Sequence, residues 1–165
     1  MENKPLTSKD YFLSLKILHI GVIFSQIFVC VIFMYWIHNV QHDATITRTT
    51  EIFLYVVLIA AAFGIVGSQK YFRYRLDKID DQNSLKSKLK EYQALIVLRL
   101  TFINFPSYTA IVAYIVTGFY FFLIIIGILI VVLAFLRPTK ENTFSDLRLD
   151  SIEMDKLNTP DEIID

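Results

Sequence analysis

The sequence predicts an all-α fold: a four-transmembrane-helix bundle with cytoplasmic N- and C-termini. Three observations predict it. The 165 residues are 55% hydrophobic and 19% charged, whereas soluble domains run near about 45–50% apolar and about 25% charged. The apolar residues gather in four runs close to the roughly 20 residues a helix needs to cross a hydrocarbon layer about 30 Å thick. None of the runs alternates as a barrel strand would. Finally, the basic residues fall almost entirely on one side of these runs.

Span one covers residues 17–37 and carries no formal charge. It is longer than the apolar part of a secretory signal, and Met34, Tyr35 and Trp36 stand where a cleavage site would need small residues. It therefore reads as an uncleaved anchor, with Tyr35 and Trp36 at the outer interface. Span two covers residues 52–69, where Gly67, Ser68 and Gln69 extend the apolar run until Lys70 stops it. Span three, residues 94–117, is interrupted by Arg99, Asn104 and Pro106. Span four, residues 119–136, has no charged residue.

Orientation follows from the flanking charges. Lys4, Lys9 and Lys16 precede span one. Lys70, Arg73, Arg75, Lys78, Lys86, Lys88 and Lys90 lie between spans two and three. Arg137, Lys140, Arg148 and Lys156 follow span four. These are fourteen basic residues on one side, against Arg48 alone on the other. The excess of basic residues marks the cytoplasmic side, so both termini are expected there.

The connections have distinct characters. A Thr-rich outer loop joins spans one and two, while Thr117 and Gly118 alone join spans three and four in a tight antiparallel hairpin. Residues 70–93 are expected to form a cytoplasmic helical hairpin, with Asn83 and Ser84 as turn and helix N-cap. Leu85, Leu89 and Tyr92 then form one apolar stripe leading into span three. Its basic residues either attract anionic lipids, at about 1 kcal/mol each near the surface, or do no more than fix topology. Asp77, Asp80, Asp81 and Glu91 dilute that charge. Residues 137–165 are expected to form an acidic cytoplasmic tail with one short helix, either solvated or docking a cytoplasmic partner. That helix is signalled by the capping-box spacing of Asp150 and Glu153 ahead of Met154 and Leu157.

Ionisable groups inside a membrane are costly and are the first functional candidates. No Asp or Glu lies within a span, which argues against proton-coupled export through an embedded carboxylate. Arg99 lies within span three, about 10 Å past Tyr92 at 1.5 Å per residue. It either snorkels toward the interface or pairs across helices, or it contacts an anion or a lipid phosphate. Pro106 frees a backbone carbonyl about four residues earlier, and Asn104 and Ser107 lie beside it near the midplane. In span one His19 and Gln26 share a helical face with Ile23, Cys30 and Phe33. The polar-cavity candidates are thus His19, Gln26, Arg99, Asn104 and Ser107.

Small residues mark close helix approach. Ala60, Gly64 and Ser68 recur at four-residue steps in span two, Gly21 and Ser25 form a smaller pair in span one, and Pro106 shapes span three. These are expected to pack the bundle or to form a self-association face. No cofactor or metal is expected. His19 and His38 are about 28 Å apart along one helix and cannot share a haem within one chain, although a dimer could supply a second His19. His38, His42 and Asp43 lack a further ligand, and the single Cys30 excludes a disulfide or a cysteine-based zinc cluster. Sixteen basic and sixteen acidic residues give no electrostatic reason to expect nucleic acid. No phosphate loop, dinucleotide fingerprint, serine elbow or metalloprotease motif is present.

Two resemblances bear on these expectations. The stretch Arg99-Leu100-Thr101-Phe102-Ile103-Asn104-Phe105-Pro106-Ser107-Tyr108 is similar over some twenty residues to the ion-carrying helix of rotary ATPase proteolipid subunits. Asn104 stands at the carboxylate position, where an amide cannot take up and release a proton. More completely, the chain resembles a family of small uncharacterised bacterial four-helix inner-membrane proteins. That resemblance rests on Leu18-His19-Ile20, on Arg99 to Pro106, and on Arg137-Pro138-Thr139 before an acidic tail. It implies a multi-pass protein of the bacterial cytoplasmic membrane and no particular activity. The expected function is that of a non-catalytic accessory or assembly subunit, or a self-associating bundle. The alternative is a small transport or lipid- and anion-binding protein using a polar cavity around Arg99 and Asn104.

Overall fold

The computed structural model describes residues 7–39, 48–79, 84–160, 162 and 164, and among these it is all-α with no strand. Four long apolar helices, α1 (Ser8–Asn39), α2 (Arg48–Leu76), α3 (Leu85–Thr117) and α4 (Phe121–Phe135), are followed by two short ones, α5 (Lys140–Asp146) and α6 (Ser151–Asn158). The first three are each long and apolar enough to cross a membrane. α4 has 15 residues, about 22 Å of helix, and reaches four spans only if counted with α5, to which it is bent by 75°. Pro138 sits at that break and cannot continue a helix. His42 and Asp43 of the outer-loop histidine group lie outside the described residues, as do Asp80, Asp81 and Asn83 of the basic hairpin.

α3 is the centre of the molecule. α2 lies along one side of it, while α1 and α4 pack on it elsewhere and against each other. Leu89, Ile103, Ala110, Ala113 and Tyr114 of α3 are buried against Tyr11 and Leu15 of α1 and Phe122, Ile126, Leu129 and Leu133 of α4. α3 ends on Gly118, whose φ of 65° is left-handed and whose N–H donates to the Tyr114 carbonyl at 2.8 Å. Only glycine takes that conformation without strain, and it lets α4 turn back at once.

Pro106 and Gly64 fit one another. Pro106 has no N–H, so the carbonyl of Phe102 lacks its intrahelical partner, and this carbonyl faces α2 at Gly64. A Cβ on Gly64 would stand 2.7 Å from the Phe102 oxygen and 2.9 Å from Pro106 Cγ. The small-residue step in α2 is therefore an internal seam, with Gly64 and Ser68 buried and Ala60 half-buried. In α1 the expectation of bundle packing is not met. Gly21 and Ser25 are exposed, nothing approaches Gly21 within 4 Å, and the Ser25 hydroxyl donates to its own helix at Val22. The buried strip of α1 runs through Tyr11, Leu15, His19 and Gln26, about half a turn away from that pair.

The acidic tail is not a solvated appendage. Thr139 caps α5 by accepting from the Asn142 N–H, and Asp150 and Glu153 complete the capping box of α6. Between them Arg148 has a φ of 49° and the Leu149 N–H donates back to Phe144. This is the Schellman ending that normally uses glycine. Leu147, Leu149, Leu157 and Ile164 are buried against the end of the molecule where α1 begins. The Ser8 hydroxyl donates to the Leu157 carbonyl and the Lys9 N–H to Pro160 at 3.1 Å. Lys88 on α3 pairs with Glu153 at 2.8 Å, both side chains being largely buried. Apolar anchors and a buried ion pair thus fold the tail over the basic end of the bundle.

Candidate functional site

α4 stops short because Arg137 and Pro138 follow it, and its end lies level with Arg99 on α3. The eighteen residue steps from Arg99 to Thr117 span about 27 Å, similar to α4 with its turns. Tyr92, Ile96, Arg99, Arg137, Asn142 and Asp146, from α3, the α4–α5 corner and α5, line a cavity of about 90 Å³ there. The Arg99 guanidinium stands 4.7 Å from the centre of the Phe72 ring on α2, a cation–π distance. Its Nε is buried and has no protein partner. The tail brings Asp146 into the same cavity, where Tyr92 donates to Asp146 Oδ2 at 2.8 Å.

Tyr92 lies ahead of the apolar run of α3 and is 2% exposed. Burial, followed by the charge of Asp146, pushes its phenol well above the usual range, so it stays a neutral donor at physiological pH. The cavity is therefore lined by two arginines, Arg99 and Arg137, and by one carboxylate that Tyr92 already engages. That arrangement suits a small anionic oxygen group, which Arg recognises through paired N–H donors.

The other sequence candidates lie deeper and elsewhere. His19 and Gln26 on α1 and Ser107 on α3 are almost fully buried. His19 Nδ1, both amide atoms of Gln26, Asn104 Oδ1 and Ser107 Oγ are buried with no protein partner. Of the five candidates only Arg99 lines the cavity. Arg99 and Asn104 are five residues apart, about 140° around the helix, and so do not share a face. Sequence reasoning missed Tyr114, 1% exposed with its hydroxyl also lacking a partner. Its seven-residue spacing from Ser107 on one face of α3 was the available signal. It also missed Arg137, Asn142 and Asp146, which only the folded tail brings to Arg99. No group of three or more metal-holding side chains occurs among the described residues.

Compared with models of protein families, with curated proteins and with solved structures, the chain finds no match.

Proposed function

We propose that this chain is a non-catalytic multi-pass protein of the bacterial cytoplasmic membrane, acting as an accessory or assembly subunit or as a self-associating bundle. The observation that carries this reading is the outer face of α1. That helix is buried along one strip only, and Ile17, Ile20, Phe24, Phe28, Val31 and Tyr35 all point outward. Gly21 and Ser25 leave its backbone uncovered in the middle of that face, which supports close approach by another helix. Fourteen basic residues flank one end of the spans, which supports cytoplasmic termini and a cytoplasmic tail.

The test is gentle affinity purification from native membranes, with bound proteins counted by mass spectrometry. A stoichiometric partner or a discrete homo-oligomer that Gly21→Leu disperses is expected. A monomer with no protein partner would overturn the reading.

A second reading is favoured by the Arg99 cavity. In it the protein binds a small anion or phosphate group between Arg99 and Arg137. Arg99→Leu separates the two readings. Lost assembly supports the first, whereas an assembled protein that no longer binds inorganic phosphate supports the second.

A further inference from the structure

On another face of α3 from that cavity, α2 and α3 border a groove of about 740 Å³. Its walls include Ala60, Phe63 and Gly64 from α2 and Val97, Phe102 and Phe105 from α3. Thr101 is its one polar side chain, and that hydroxyl already donates to the Val97 carbonyl at 2.9 Å. Along α3 the groove runs from Ala94 to Phe105, about 16 Å at 1.5 Å per residue. It closes at its deep end, where Gly64 meets the Phe102 carbonyl and Pro106.

Ala94 also lines a second cavity, of about 150 Å³, formed with Arg75, Lys78, Glu91 and Leu95. Ala94, shared by the two cavities, thus sets a charged mouth beside the apolar groove at the basic end of the molecule. Neither Arg75 nor Lys78 forms an ion pair among the described residues. Lys78 lies 4.3 Å from the centre of the Tyr74 ring, a cation–π distance that leaves its charge uncompensated by a carboxylate. The nearby Asp77 is engaged by Arg148 of the tail at 3.4 Å. Glu91 is the one carboxylate in the mouth, against two cations.

We infer that this groove and the mouth beside it seat one anionic phospholipid of the surrounding membrane, with a chain in the Ala60–Phe105 groove and the phosphate at Arg75 and Lys78. Length selects this occupant over a partner helix. The groove matches one leaflet, half of the roughly 30 Å hydrocarbon layer, whereas a crossing helix needs a face through both. Charge selects the headgroup, because the groove's lining is apolar apart from the self-bonded Thr101 hydroxyl and the Phe102 carbonyl packed against Gly64, whereas two cations stand at its basic end. The inference is independent of the proposed function, since it concerns the α2–α3 side rather than the outer face of α1.

The test uses the full chain in a mild detergent and native mass spectrometry with phosphatidylglycerol or phosphatidylcholine of identical acyl chains. The wild type should retain phosphatidylglycerol in preference. Replacing Arg75 and Lys78 together by Gln should lower that retention about thirtyfold, at roughly a factor of five per basic residue at a lipid surface, while phosphatidylcholine changes little. Val97→Trp, which fills the groove, should displace both lipids. Arg48→Gln, at the opposite end of α2, serves as a control and should change neither lipid. Equal retention of the two lipids by the wild type would overturn the inference. So would unchanged phosphatidylglycerol binding in the Arg75/Lys78 variant or in Val97→Trp. If Val97→Trp instead turns a dimer into a monomer, the groove belongs to a second copy and the inference is wrong. Circular dichroism on each variant identifies any that has not folded, and Val97→Leu then replaces the tryptophan variant, with a smaller loss expected.

Discussion

Gly64→Ala tests the seam between α2 and α3 most directly. A methyl group there would enter within 2.7 Å of the Phe102 carbonyl oxygen and 2.9 Å of Pro106 Cγ. Both are fixed by the α3 backbone, so relief requires α2 to move away from α3. Overpacking of this kind costs about 1–3 kcal/mol. Alanine in place of glycine within a helix returns about 1 kcal/mol. Gly67→Ala supplies the comparison, because its nearest neighbours are Phe63 ring atoms of the same helix at 3.8 Å. The propensity gain is common to both variants and cancels in their difference. Gly64→Ala should therefore be about 1–3 kcal/mol less stable than Gly67→Ala. The assay is reversible unfolding in mixed micelles followed by helical circular dichroism. A Pro106→Ala background sharpens it, because alanine removes the Cγ contact and gives the Phe102 carbonyl its intrahelical N–H. The difference between the glycine variants should then shrink by about half or more, a coupling expected of residues in contact. Equal stabilities of the two alanine variants, or an undiminished difference in the Pro106→Ala background, would refute the reasoning.

Four other outcomes follow from the same structure. Leu157→Ala removes a fully buried side chain and should destabilise the folded tail by about 2–5 kcal/mol, seen as rapid proteolysis within residues 140–165. Arg148→Gly should instead slow that proteolysis. Glycine takes the left-handed φ without the roughly 1 kcal/mol penalty, and the exposed pair with Asp77 contributes little. In a Cys30→Ala background, Thr49→Cys should react with an impermeant maleimide on intact cells while Ser151→Cys should not; the reverse pattern would invert the proposed orientation. The raised phenol of Tyr92 binds its proton more tightly in the folded state than in the unfolded state. Its stabilisation is full below about pH 10 and is lost as pH rises beyond that toward the folded value. Tyr92→Phe should flatten the stability decline measured above about pH 10.

Much of this was written in local order. Long charge-free runs imply helices because a membrane leaves the backbone no other partners. Gly118 marks a reversal because only glycine takes a left-handed φ freely, and Asp150 with Glu153 is a capping box whatever else surrounds it. The small-residue period in α2 pointed to close packing because its spacing keeps Ala60, Gly64 and Ser68 on one face. Such features depend on residues three or four apart, and a sequence displays that separation directly.

What the tertiary structure alone decided depends on residues far apart in the chain. Gly64 needs the freed Phe102 carbonyl opposite it, whereas Gly21 has no neighbour and stays open, although both belong to small-residue pairs. The acidic tail reads as solvated because its apolar residues are few. Yet Leu147, Leu149, Leu157 and Ile164 all find the same end of the bundle, and Glu153 finds Lys88 across 65 residues. Arg99 was visible as a lone charge in a span, but Arg137 joins it only because α4 packs back on α3, and Asn142 and Asp146 only because the chain bends by 75° between α4 and α5. The sequence determined which segments are helical and apolar, since those properties reside in each segment. Which faces meet, and which polar groups they enclose, is set by complementary shape and charge between segments, and only the folded chain brings those together.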